Sequence, residues 1–93
     1  MLGLNVIEGF KAKHSSSRSP LEQWVKTLRS SGPKHFVALK QTFGHADFVA
    51  PDTVFDVKGN KFRVIARVSY ALQVVTIISV LTHAEYDEGG WKK

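Results

Sequence analysis

The feature that most constrains this chain is a change of hydrophobic period near Asp47. Before it, apolar residues recur at helical spacing; after it, they alternate. Leu21, Trp24, Val25 and Leu28 follow the i, i+3, i+4, i+7 pattern of one buried helical face. Ser19, Pro20 and Glu22 precede or open that run as an N-cap, a first-turn proline and a capping-box acid, and Gly32-Pro33 stops it. Glu22 and Lys26 are spaced for an exposed ion pair. A shorter helix follows, with Phe36, Leu39 and Phe43 on one side and Gly44 at its end. Upstream, LNVI at 4–7 fits a short strand or a helix start, the segment from Phe10 to His14 is helix-compatible, and SSSRS at 15–19 is a polar break.

Beyond Asp47 the chain reads as an antiparallel meander. ADFV and TVFDV flank a Pro51-Asp52 turn, and Val57 and Phe62 flank a tight Gly59-Asn60 turn. FRVIARVSY and VVTIISVL are the longest strands, joined near Ala71 to Gln73. Thr82 and Glu85 form a capping box for one helical turn, which Gly89-Gly90 ends, leaving Trp91 in a short tail that could fold back. Helices first and a meander after them predict an α+β domain, with helices on one face of the sheet. A length of 93 residues, with no linker or repeat, predicts one domain over 1–93.

Composition removes several chemistries. The chain has no cysteine, so disulfides, thiolate catalysis and cysteine-bound zinc are excluded. It lacks a long apolar run and an apolar signal-peptide core, which points to the cytoplasm and away from membranes. No phosphate loop, dinucleotide fingerprint, serine elbow or zinc signature is present, and no metal or cofactor is expected. The net charge of +5 falls unevenly. Residues 1–46 carry seven Lys/Arg against two acids, while residues 47–93 carry six of each. Such an excess favours phosphate-rich or acidic partners.

Candidate chemistry lies between Lys58 and Asp87. Arg63 and Arg67 are four apart on one strand, so both take the same face with Ile65 between them. Phe62, Val64, Ala66 and Val68 take the core face, leaving the arginine face open. That face is either a solvated surface or a guanidinium pair matched to phosphate oxygens. His83 and Tyr86 share a side of the capped turn, and Asp87 is placed to orient the imidazole. The plainer reading is a surface histidine beside a cap, with Tyr86 packed on the sheet edge. Glu85 reads as a cap, and Lys58 and Lys61 read as edge protection around the turn. Phe10 and Trp24 read as core; His14, His35 and His45 receive no role.

The run DTVFDVKGNKFRVIARVSY followed by VLTHAEYD resembles the HigB family of toxins, a branch of the RelE-like superfamily. The GN-x-x-R and THAEYD motifs carry the resemblance, which extends over nearly the whole chain. It implies a RelE-like fold: an N-terminal strand and helices packed on a twisted antiparallel sheet, with a short C-terminal helical turn. It implies the toxin of a type II toxin–antitoxin module, a metal-free endoribonuclease that cleaves mRNA on the translating ribosome by 2′-hydroxyl attack on the adjacent phosphate. By the same resemblance, Arg63 stabilises the transition state; for that chemistry the expected general acid or base is His83, because an imidazole titrates near neutrality. Tyr86 positions the nucleotide, while Arg67, Lys61 and Lys58 bind RNA. The implied partner is a HigA-like helix-turn-helix antitoxin, through which alone the toxin reaches operator DNA. Asp56 departs from the family's usual Asn, and Glu8 from a usual Lys or Arg, which weakens the case for an RNA role of the first helix.

The facing of His83 turns on one register. A three-residue connection, Tyr70 opposite Val74, puts Arg63 opposite Leu81 and His83 on the arginine face. A two-residue turn at Leu72-Gln73 pairs Phe62 with His83 and sends it to the core side, unless the capped turn re-aims it. The rival readings are a catalytically inactive RNA- or ribosome-binding domain of the same fold, and a structural domain whose basic half binds an acidic protein such as an antitoxin.

Overall fold

The structure, a computed structural model, describes residues 1–32, 36–58 and 61–89, with the backbone alone at Phe36. The Gly59-Asn60 turn, Pro33, His35, the Phe36 side chain and the tail from Gly90 through Trp91 lie outside the described residues. Helix α1 spans Leu4–Lys13, and a 3₁₀ turn at Ser15–Ser17 leads into α2, Arg18–Ser31, followed by α3, Phe36–Thr42. Strands β1 (Asp47–Val49), β2 (Asp52–Val57), β3 (Phe62–Ser69) and β4 (Val74–Thr82) follow, and α4, His83–Glu88, closes the described chain. The sheet is antiparallel in the order β1-β2-β3-β4. The expected helices-then-meander architecture is therefore present.

At the N-terminus the LNVI segment takes the helical one of its two readings, and the expected N-terminal strand changes to a single parallel bridge, Leu2 to Thr76. Leu2 donates to the Val75 carbonyl at 2.7 Å and accepts from the Ile77 amide at 2.9 Å. The next residue must be glycine for two reasons. Gly3 has φ 78°, and a Cβ there would meet the Ile77 carbonyl oxygen at 2.6 Å. The second change is at α2. It begins at Arg18 with Ser17 as N-cap and makes no side-chain capping bond. The 3₁₀ turn feeds the helix directly, so Ser19 lies inside it. Ser17 Oγ bonds the His14 carbonyl at 2.6 Å, and Glu22 bonds Lys11 of α1 at 3.2 Å rather than Lys26. Pro20 is tolerated there because first-turn amides have no intrahelical acceptor. Gly32 ends α2 with φ 49°, its amide on the Leu28 carbonyl at 3.3 Å.

The main core lies between the helices and one face of the sheet. Ile7 and Phe10 of α1, Leu21, Trp24 and Leu28 of α2, and Leu39 of α3 pack on Phe55, Val57, Phe62, Val64, Ala66, Val75, Ile77 and Val80. Trp24 and Phe43 meet Phe55 with ring centroids 5.0 and 5.2 Å apart, both edge-on. Phe10 and Trp24 are thus core residues, as the sequence predicts. The hairpin between β3 and β4 sets the opposite face. Ser69 pairs with Val74 across a four-residue connection, but Ile65 pairs with Ser79 while Ala66 pairs with Ile77. Ile78 is the extra residue of a β-bulge. The bulge restores the register of the three-residue alternative, so Arg63 does face Leu81.

Candidate nucleic-acid site at the β3–α4 corner

Side chains of direct cross-strand partners share a face. Asp56 therefore stands beside Arg63, and Val54 beside Ile65. Arg67 is bonded by Asp52, Nε to Oδ1 at 3.0 Å. This face is less open than alternation implies. Arg63 is 7% exposed, and Val54 and Ile65 are 2% exposed each. Alternation assigns a side but not what covers it. Here the cover over Arg63 comes from a carboxylate on β2 and two side chains of α4.

Among the described residues, the Asp56 carboxylate, the Phe62 carbonyl, His83 and Tyr86 converge on the Arg63 guanidinium. Its Nε donates to Asp56 Oδ1 at 3.0 Å, and its Nη1 to the Phe62 carbonyl at 3.4 Å. Nη2 lies 3.3 Å from His83 Nδ1, and Cζ stands 5.1 Å from the centroid of the Tyr86 ring. A guanidinium can only donate, so Nδ1 must accept and carry a lone pair. His83 Nε2 lies 3.0 Å from Asp87 Oδ2, where it can only donate to the carboxylate. The contacts thus select the tautomer protonated at Nε2. They leave the unprotonated nitrogen against the cation.

The strand end and its cap position the imidazole. Thr82 is the N-cap of α4: its hydroxyl accepts from the Glu85 amide at 3.2 Å, and its own amide donates to Glu85 Oε1 at 2.9 Å. The expected capping box is present, and Glu85 is occupied by it. The Thr82 backbone bond, above all, holds the Glu85 carboxyl below its ordinary value. The Thr82 hydroxyl and the charges of His14 and Lys13 add to this, against a smaller opposing effect of burial. The His83 amide donates to the Lys61 carbonyl at 2.9 Å, which ties the start of α4 to the start of β3. His83 has left the strand, and the helical turn aims it at Arg63.

Of the six residues singled out in the sequence, Arg63, His83 and Tyr86 are brought together. Arg67 lies farther along β3 on the same face, exposed and held by Asp52. Lys58 and Lys61 are exposed at the β2–β3 end, Lys58 with φ 55°. Asp56 is the residue that sequence reasoning undervalued: it reads there only as a departure from a family pattern. Its signal was present, because pairing Val57 with Phe62 across the turn puts Asp56 opposite Arg63. Asp52 follows by the same count. Among the described residues no cluster of three His, Asp or Glu could hold a metal ion. A cavity of about 710 Å³ lies elsewhere, between α1 and α2, and none of the six residues lines it.

A family model described as HigB_toxin, the RelE-like toxic component of a toxin–antitoxin system, matches residues 17–89. This chain belongs to the HigB toxin family. A search of curated proteins found no match. The matched span of this HigB-family toxin covers α2 through α4, and so the whole corner around Arg63. The resemblance read from GN-x-x-R and THAEYD is borne out at the level of family and fold. As the toxic component of such a system, the toxin implies an antitoxin partner. Among the described residues no helix is long and apolar enough to cross a membrane.

Proposed function

We propose that this HigB-family toxin is an endoribonuclease that cleaves mRNA on the translating ribosome, with Arg63, His83 and Tyr86 at its centre. One observation carries the reading: a guanidinium nitrogen 3.3 Å from the His83 Nδ1 atom, on the face of a rigid sheet. Cleavage by transesterification needs a base for the 2′-hydroxyl proton, an acid for the leaving oxygen and a cation for the pentavalent phosphate. A phosphate entering the corner takes the Arg63 Nη2 donor from His83, which frees Nδ1. Nδ1 accepts the 2′-hydroxyl proton as the 2′-oxygen bonds to phosphorus. The bond from phosphorus to the 5′-oxygen breaks, and that oxygen takes up one proton, from the new imidazolium or from a second acid. The products are a 2′,3′-cyclic phosphate and a 5′-hydroxyl. Asp87 holds Nε2 through its proton, and Tyr86 holds the guanidinium and the incoming nucleotide. Arg67, Lys61 and Lys58 bind flanking phosphates.

The reaction belongs in the cytoplasm, and the neutralising partner is a HigA-like helix-turn-helix antitoxin. The test is induction of the toxin in bacteria without antitoxin, with mapping of mRNA ends. Growth arrest and cuts inside reading frames are expected, and both Arg63→Ala and His83→Ala should lose most of each. A His83→Ala protein that arrests growth and cuts as the parent does removes the acid–base role. A second reading, a binding domain without turnover, draws on Asp52 and Asp56, which neutralise both arginines. It predicts ribosome binding at normal affinity with intact mRNA.

A further inference from the structure

We propose that Lys13 and His14, where α1 ends, form a phosphate-binding edge that carries single-stranded RNA past α4, at the end of β3 opposite Arg67. This rests on the ribonuclease reading, in which Arg63 holds the scissile phosphate. A chain of ring contacts places the pair. The His14 imidazole stacks on Phe10 with centroids 4.3 Å apart, and Phe10 meets Phe62 edge-on at 5.6 Å. Phe62 is the cross-strand partner of Thr82, the N-cap of α4. The charges of Lys13 and His14 act on Glu85, one turn into α4, consistent with that placement.

His14 is fixed from several sides. Its amide donates to the Phe10 carbonyl at 2.9 Å, and its carbonyl accepts from both the amide and the hydroxyl of Ser17, at 2.9 and 2.6 Å. It is half-buried, while Lys13 is exposed. The contrast with Lys11 is informative. Lys11 is held by Glu8 at 2.7 Å and Glu22 at 3.2 Å, tying α1 to α2. Neither Lys13 nor His14 makes an ion pair among the described residues, and Glu85 is already engaged by Thr82. Cations at a helix C-terminus also suit its dipole. That role alone affects stability and leaves RNA affinity untouched, so the two are separable.

The test is fluorescence anisotropy with a labelled single-stranded RNA carrying 2′-O-methyl riboses, which cannot be cleaved, titrated across salt. The double variant Lys13→Gln/His14→Phe keeps a ring to stack on Phe10 and removes the Lys13 ammonium and the His14 ring nitrogens. Its affinity at low salt should fall about 5- to 10-fold, and the log–log salt slope should shrink by about 0.7–1.4, since each phosphate contact on a single strand contributes about 0.7. The control Lys26→Gln/Arg29→Gln, on α2, should change neither. An unchanged affinity and slope, an equal loss in the control, or a parent without salt-dependent RNA affinity overturns the proposal. A parent that binds RNA but cuts no mRNA, with the expected loss in the double variant, supports the edge and refutes the ribonuclease. A cutting parent whose double variant binds equally well refutes the edge alone.

Discussion

Asp56 offers the sharpest test of how the corner is held. Its carboxylate is 3.0 Å from Arg63 Nε, and the two side chains are only 20% and 9% exposed. At that depth two unit charges about 4 Å apart attract by roughly 4 kcal/mol at an effective dielectric near 20. Desolvation offsets much of this in the intact pair, but a change that removes one partner leaves the other charge buried and uncompensated. That costs about 3–5 kcal/mol. The Tyr86 ring, His83 and the Phe62 carbonyl still touch the guanidinium, so Asp56→Ala should fall at the low end, about 3 kcal/mol. For a chain of this size that corresponds to a melting midpoint lower by roughly 12–24 °C. Asp56→Asn keeps an acceptor for Nε and should cost only about 1–2 kcal/mol. On the ribonuclease reading it should also bind RNA more tightly, because one negative charge leaves the proposed phosphate site. Replacing both partners, Asp56→Leu with Arg63→Met, should recover most of the stability and none of the activity. Thermal unfolding followed by circular dichroism reads the series. Equal losses in the Ala and Asn variants would refute the saving assigned to the Nε acceptor, and an Ala variant within about 0.5 kcal/mol of the parent would refute a stabilising buried pair.

Two further outcomes follow from the termini of the sheet. The Glu85 carboxyl is held below its ordinary value of 4.5, so its contribution to stability is fully present above that pH and is lost as pH falls through the lower folded value. The advantage of the parent over Glu85→Gln in urea unfolding should therefore be largest at neutral pH and shrink below about pH 4.5; a gap that stays constant down to pH 3 contradicts the capping box. Gly3→Ala should lower stability by about 1–3 kcal/mol, from positive φ and from the clash with the Ile77 carbonyl. A variant that melts with the parent would mean that the Leu2 bridge forms no part of the folded unit.

The parts of this molecule that were legible in its sequence are those governed by local periodicity. Alternation located β3 and β4 and divided Phe62, Val64 and Ala66 from Arg63 and Arg67. The Thr82–Glu85 spacing located α4 because a capping box is a contact between near neighbours. Similar spacing misled at Ser19–Glu22, where a preceding 3₁₀ turn had already started the helix and Lys11, eleven residues upstream, claimed the acid. The burial of Arg63 was hidden for a different reason. It depends on Asp56 and Tyr86, which reach it only after strand pairing and the departure of α4. Ile78 was illegible because Ile-Ile-Ser is ordinary strand sequence, and only the mismatch of two pairings shows a residue too many.

That extra residue makes the distance from Arg63 to His83 a matter of parity. The connection at Tyr70–Gln73 alone would bring Val80, not Leu81, opposite Arg63, one step out of phase. Ile78 corrects the count after the turn has set it. Loop length and strand length are therefore not independent: a three-residue connection, with Tyr70 paired opposite Val74, would bring Leu81 opposite Arg63 without the bulge. Removing Ile78 itself would leave the pairings on both sides as they are. Adding a single residue between Ser79 and Thr82 has no such correction downstream of it, and it would move His83 away from Arg63 while leaving the helical core unchanged. On the proposed ribonuclease reading, such a one-codon insertion is a short route from a toxin to a silent fold.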